Sequence, residues 1–190
     1  QYQEGDSIEV KEMHEDDLAF LSFTSGTSGI SKGVMRSHGL LIRQTDILKK
    51  YLHYDEYNRY DLTVFTNLVM CNLSLGKGSI IVPSNWDAEV LKKIDHIPEQ
   101  FRPDTIACGP GFLEKFMNLA SAPSLQSFHL GGALGDVTLY EKALKHWPQA
   151  HLHHVYGSTE AEPVALSELS RAVEESKAAN LFQVLYLGNK

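Results

Sequence analysis

The sequence predicts an α/β fold: a mainly parallel, doubly wound sheet with helices on both faces. Three observations carry that expectation. Short apolar runs, many of them β-branched, recur along the chain, as strands buried on both faces require. Amphipathic stretches with three- and four-residue spacing lie between them. The 190 residues show no internal repeat and no low-complexity tract. Strand–helix alternation over such a length winds into one sheet with right-handed crossovers.

The elements follow in order. Residues 1–17, QYQEGDSIEVKEMHEDD, are polar and acidic and form a lead-in segment; residues 18–190 form the sheet domain. LAFLSF from Leu18 is the first strand, and Leu41, Leu48 and Leu52 mark a helix after Ser37. TVF from Thr63 and SIIVP from Ser79 are the next two strands. Asp87 opens a helix that carries Val90, Leu91 and Ile94, with the aspartate as N-cap. TIAC from Thr105 follows. Leu113, Phe116, Met117 and Ala120 then recur behind Gly109-Pro110, where proline suits the first helical position. SFHL from Ser127 precedes a helix capped by Asp136, with Val137, Tyr140, Leu144 and Trp147 on one face. LHHVY from Leu152 is a strand, Ser167 to Ala178 a more polar helix, and FQVLYL from Phe182 a last strand.

Composition narrows the function. Lys+Arg is 17 and Asp+Glu is 24, a net charge of −7. No broad basic field exists, which argues against a nucleic-acid backbone or an anionic membrane as the main partner. The two cysteines, Cys71 and Cys108, exclude a disulfide framework and a multi-cysteine zinc site, and free thiols suit a cytoplasmic location. No apolar run approaches the roughly 20 residues of a membrane span. His151 and His153 would share one face of a strand and His154 the other, a poor arrangement for zinc. GPG at Gly109 to Gly111 lacks the third glycine of a dinucleotide fingerprint.

In parallel sheets ligands gather at the carboxyl ends of strands, so the chemistry is sought just after each run. The first run leads into FTSGTSGISKGV, Phe23 to Val34. Six hydroxyl side chains, Ser22, Thr24, Ser25, Thr27, Ser28 and Ser31, cluster around Gly26, Gly29 and Lys32. The glycines let the backbone approach a ligand closely. Backbone N–H groups and hydroxyls can wrap phosphate oxygens while Lys32 supplies a point charge. A Walker loop needs G-x-x-x-x-G-K-[ST]; here Ser31 precedes Lys32 and Gly33 follows it. The second candidate is HHVYGSTEAEP, His153 to Pro163. Tyr156 can stack on a planar base, Gly157 permits close approach, Thr159 offers a hydroxyl, and Glu160 offers a hard oxygen for Mg²⁺.

These two segments, in this order, resemble the adenylate-forming superfamily of acyl- and aryl-CoA synthetases, peptide-synthetase adenylation domains and luciferases. The family's phosphate loop, approximately [YF]-T-S-G-[ST]-T-G-x-P-K-G, is matched from Phe23 to Gly33, with Ser28 where threonine is usual and Ser31 where proline is usual. Ser28 keeps the hydroxyl; Ser31 gives up a rigid turn. The motif Y-G-x-T-E is matched in full by Tyr156, Gly157, Ser158, Thr159 and Glu160, and Gly131-Gly132-Ala133 resembles the family's G-G-A segment. Within the family the chain resembles fatty acid:CoA ligase-like proteins and olefin β-lactone synthetases. Their last motif runs on much as Glu162-Pro163-Val164-Ala165 does, and DLTVFTNLVMCNLSLG, Asp61 to Gly76, resembles their strand and pocket helix. Leu68 stands where an aromatic is common and Thr66 where proline is common.

The resemblance implies specific roles. Thr24, Ser25, Gly26, Thr27, Ser28, Gly29 and Lys32 would cradle the ATP phosphates. Tyr156 would stack on adenine, with Gly131, Gly132, Ala133 and His154 along its edge and Gly157 and Ser158 beside it. Thr159 would touch the α-phosphate region, and Glu160 would bind Mg²⁺. Lys32, Thr159 and Glu160 would be the catalytic groups, and Leu68, Cys71, Asn72 and Gly109 would line an acyl pocket. The implied reaction is attack of a fatty or other apolar carboxylate on the α-phosphorus, releasing pyrophosphate, followed usually by thioester formation with CoA. A full member of the family is much longer. It carries a ribose-binding aspartate and a C-terminal domain with a catalytic lysine. The chain therefore reads as a central fragment, expected to be inactive alone and to self-associate through surface its neighbours would cover. Two rivals remain: a non-catalytic nucleotide-binding or scaffolding module, and a kinase-like NTPase, against which the Tyr156–Glu160 match argues.

Overall fold

The computed structural model describes residues 11–24, 30–52, 54, 59–83 and 86–180. Residues 1–10, the phosphate-loop centre at 25–29 and the FQVLYL run lie outside the described residues. The chain divides into two units, Gln1–Gln44 and Thr45–Lys190.

The first unit holds an antiparallel hairpin of β1 (Leu18–Thr24) and β2 (Lys32–Ser37). The sequence places LAFLSF in the main sheet. Instead β1 pairs with β2, Phe23 opposite Gly33 and Thr24 opposite Lys32. The strand finds its partner in the segment that follows it in sequence. Nor is β1 buried on both faces, since Leu21 is 46% and Phe23 67% exposed. Helix α1 (His38–Tyr51) starts where expected, with the Ser37 hydroxyl accepting the Leu40 N–H at 3.3 Å. Lys49 and Lys50 in its last turn complement the helix dipole.

The second unit is built on a six-stranded sheet. Its strands are β3 (Tyr60–Thr63), β4 (Gly78–Ile81), β5 (Thr105–Cys108), β6 (Ser127–Gly131), β7 (His151–Ser158) and β8 (Ala161–Glu168), in spatial order β4-β3-β5-β6-β7-β8. All neighbours are parallel except β7 and β8. Five helices accompany it: α2 (Thr66–Ser74), α3 (Ala88–Lys92), α4 (Pro110–Met117), α5 (Val137–His146) and α6 (Leu169–Ala178). The predicted caps form: Asp87 accepts from Val90 N at 2.9 Å, Asp136 accepts from Leu139 N at 2.6 Å, and Pro110 opens α4.

Three boundaries differ from the sequence reading. The third strand ends at Thr63, where the Thr63 hydroxyl accepts the Phe65 N–H at 3.0 Å and turns the chain into α2. Ile94 lies in a 3₁₀ turn beyond α3. Helix α6 begins at Leu169, not Ser167, because residues 161–168 form β8. Pro163 in that strand, and Glu162 and Glu168 on it, hide it in the sequence.

The sheet's two faces are chemically unlike. On one, Leu62, Ile106, Cys108, Phe128, Leu130 and Leu152 form the main core with residues of α3, α4, α5 and α6. An aromatic train runs through it: Trp86–Phe112 at 5.2 Å, Phe112–Phe116 at 5.7 Å, Phe116–Trp147 at 6.0 Å and Trp147–Phe128 at 4.7 Å between centroids. On the other face, the register aligns Asp61, Thr105 and Ser127 in one row and Thr63, Ala107 and His129 in the next. Leu48, Leu52, Tyr54, Leu68 and Cys71 cover that side in a smaller cluster with Ala107. Helices therefore pack on both faces, as predicted.

Candidate functional site

The carboxyl ends of the parallel strands are closed by glycine. A Cβ on Gly131 would lie 3.0 Å from the Val155 carbonyl oxygen, and one on Gly109 would lie 3.5 Å from the Gly131 oxygen. Gly132 has φ +77 and would place a Cβ 3.4 Å from the Phe65 ring. Only glycine takes that backbone conformation without strain. The loop that follows is pinned from behind. The Tyr140 hydroxyl accepts the Gly135 N–H at 2.8 Å, and Asp136 caps α5.

His154 lies on the β7 face that carries the main core, with Nε2 3.4 Å from the Ala133 carbonyl oxygen. A carbonyl only accepts, so Nε2 carries the proton. Burial lowers the His154 pKa and the Ala133 contact opposes it; the ring is neutral at pH 7. Tyr156 follows two residues later on the same face and is 51% exposed. It belongs to neither core cluster. His154 thus meets Ala133, and Tyr156 follows it on the same strand face.

The sequence reading ends this strand at Tyr156 and places the rest of the motif, Gly157 to Glu160, beyond it. Tyr156, Gly157 and Ser158 remain within β7, and Thr159 and Glu160 form the turn to β8. The register shifts between Tyr156 and Ser158, a bulge that re-aims neighbouring side chains. A Cβ on Gly157 would meet the Ala161 oxygen at 3.0 Å and Glu162 Cγ at 3.1 Å. The Asn67 amide, in the first turn of α2, donates to Glu162 Oε2 at 2.8 Å; no spacing signal in the sequence marks this pair. Glu160 is exposed. Among the described residues no three His, Cys, Asp or Glu side chains cluster to hold a metal. A lone exposed carboxylate still fits Mg²⁺, which takes one or two carboxylates alongside substrate phosphates.

In the first unit, Ser31 donates its hydroxyl proton to the Thr24 carbonyl at 3.1 Å. That bond ties the last residue of β1 to the residue before β2. Lys32 is exposed at the first position of β2. Ser25, Gly26, Thr27, Ser28 and Gly29 lie outside the described residues.

Of the residues expected to line an acyl pocket, Leu68, Cys71 and Asn72 are buried. Leu68 and Cys71 are 8% and 6% exposed in the smaller core, and Gly109 caps α4. Asn72 is fully buried and donates to Asp61 Oδ2 at 3.0 Å and Ser79 Oγ at 2.9 Å. Thr105 donates to the other Asp61 oxygen at 3.0 Å. Burial pushes the Asp61 pKa up to about 6, against the pull of those two bonds. Burial likewise pushes the Cys71 thiol up to about 11. An open apolar groove of about 270 Å³ is lined by Ile47 and Tyr51 of α1 and Pro163, Val164, Ala165 and Leu166 of β8.

Sheet and covering helices define the class: a mainly parallel α/β domain. The profile of the AMP-binding enzymes matches residues 1–181, and the chain belongs to that family. It is 27% identical over 191 residues to 4-coumarate–CoA ligase-like 8 of Arabidopsis thaliana, covering 93% of this chain and 34% of that protein. It is 29% identical over 168 residues to nonribosomal peptide synthetase 4 of Gibberella zeae, covering 84% of this chain and 2% of that protein. Among solved structures, o-succinylbenzoate CoA synthetase of Bacillus subtilis matches with TM-score 0.71 and 19% identity, over 86% of this chain and 34% of that one. A long-chain-fatty-acid–CoA ligase of Archaeoglobus fulgidus matches with TM-score 0.65 and 21% identity, over 85% and 35%. The chain spans about a third of the length of the plant ligase it matches.

Proposed function

We propose that the chain is the nucleotide-binding portion of an enzyme that joins a carboxylic acid to AMP, with ATP as donor and pyrophosphate as leaving group. The His154–Ala133 contact and the exposed Tyr156 ring on the same strand face carry this reading. An aromatic ring beside a backbone without side chains accepts a planar base on its face. The neutral His154, its proton directed at Ala133, holds the wall of that slot and adds no charge beside the base. Lys32 and the loop 24–29 would meet the phosphates. Glu160 would hold Mg²⁺, which when bound offsets phosphate charge. Thr159 would direct its hydroxyl at the α-phosphoryl group. Such transfers depend on positioning and charge neutralisation more than on covalent chemistry.

The acid in this reading is fatty or otherwise apolar, and the apolar lining of the groove between α1 and β8 supports it. CoA is the proposed acceptor. The Ser31–Thr24 bond ties the end of β1 to the residue before β2, which favours a working loop over a vestigial one. Acid-dependent ATP–pyrophosphate exchange by the longer protein tests the reading. Tyr156→Ala should raise the KM for ATP and leave the urea midpoint in place; unchanged exchange kinetics would refute the site.

A further inference from the structure

The first turn of α2 touches the proposed nucleotide site in two places. The Phe65 ring, at the N-cap, packs where Gly132 lacks a side chain. Asn67, two residues on, donates to Glu162, 95 residues away on β8. Glu162 in turn lies across the bulge, its Cγ 3.1 Å from the place a Gly157 side chain would start. The Ala161 oxygen is 3.0 Å from the same point. Gly157 lies between Tyr156 and the Thr159–Glu160 turn. The orientation of all three therefore depends on how β8 begins, and among the described residues β8 pairs with β7 alone. A strand paired on one side shifts register more readily than one paired on both, and a bulge needs a fixed partner to stay in place. Asn67 supplies that partner from outside the sheet. Both side chains are half-buried, where a hydrogen bond to a carboxylate is stronger than one in open water.

We infer that Asn67 is a positioning residue: through Glu162 it fixes the bulged β7–β8 turn that presents Tyr156, Thr159 and Glu160. The importance of that turn for nucleotide rests on the function proposed above. Through α2, the same contact couples the turn to the helix that carries Leu68 and Cys71. A shift of α2 is then felt at the nucleotide turn.

The test uses the whole 190-residue chain, three variants and two readouts. Asn67→Asp is nearly isosteric and sets one carboxylate against another. The double variant Asn67→Asp/Glu162→Gln restores one donor and one acceptor with their direction reversed. Glu162→Gln alone keeps an acceptor oxygen for Asn67 and serves as the mild control. Amide hydrogen exchange at residues 157–162 should rise about tenfold or more in Asn67→Asp, return toward wild type in the double variant, and change little in Glu162→Gln. Exchange in α4, β5 and β6, and the urea midpoint, should stay constant. By calorimetric titration with Mg²⁺ and ATP, affinity should fall by a similar factor in Asn67→Asp and recover in the double variant. Unchanged exchange at the turn, or no recovery in the double variant, overturns the inference. A uniform rise across the sheet with a lowered urea midpoint also overturns it, because the pair would then serve stability alone. If exchange responds as expected but the wild-type chain takes up no Mg²⁺–ATP, the positioning role stands and the nucleotide reading fails.

Discussion

Asp61 offers a quantitative test of how the polar face of the sheet is held. Its carboxyl is fully buried between Asn72 and Thr105, and burial raises its pKa from 3.8 to about 6. The folded state therefore binds its proton more tightly than the unfolded chain does. The stability this group contributes is complete below pH 3.8 and is lost as pH rises through 6. At 1.36 kcal/mol for each tenfold change in proton affinity, the loss between pH 4 and pH 7.5 is roughly 2–3 kcal/mol. Asp61→Asn removes the titration. It also sets an N–H against the Asn72 amide, but that mismatch costs the same at every pH. Urea unfolding of both proteins, followed by far-UV circular dichroism across this range, isolates the difference. Wild type should lose roughly 2–3 kcal/mol relative to the variant as pH rises. Parallel curves would refute the reasoning and mean that the two hydrogen bonds keep Asp61 ionised at an ordinary pKa.

Other expectations concern the strand ends and loops. Gly132→Ala forces a side chain into a positive-φ conformation against Phe65 and should cost about 1–2 kcal/mol in urea unfolding; no loss would mean the loop relaxes freely. Ser31→Ala removes the tie to Thr24. It should change stability by only about 0.5 kcal/mol while raising the KM for ATP of the longer protein, and equal KM values would show the tie to be irrelevant. Glu160→Ala should weaken the Mg²⁺ dependence of pyrophosphate exchange, and Lys32→Ala should weaken ATP use. Each side chain is exposed, so melting temperatures should hold; normal exchange in both would remove their assigned roles.

The parallel core of this fold was legible because β5 and β6 are buried along their whole length, which leaves short runs with few charged residues in the sequence. The capped helices were legible for a local reason, since Asp87 and Asp136 bond within their own first turns. What escaped depends on distant partners. β1 reads as a core strand until the hairpin with β2 is seen, and β8 is hidden by Pro163, Glu162 and Glu168. The Tyr156–Glu160 motif was legible by residue type, but not its bulge, which arises from pairing with β8. The sequence does not show that Asn72 donates to Asp61, eleven positions earlier, because the two sit on different elements. Asn67 gave no signal, its partner being 95 residues away.

The aromatic train has a practical consequence for anyone who follows this protein by light. Both tryptophans of the chain, Trp86 and Trp147, stand in the same hydrophobic layer, joined through Phe112 and Phe116. Tryptophan emission therefore reports on that one layer. The α2 side of the sheet and the phosphate-loop hairpin contain no indole. A ligand that settles against Tyr156 or Lys32 without disturbing that layer leaves the emission spectrum unchanged. A flat fluorescence titration says nothing about occupancy; a tryptophan installed near the β7–β8 turn, or a fluorescent nucleotide, gives the optical handle the natural sequence lacks.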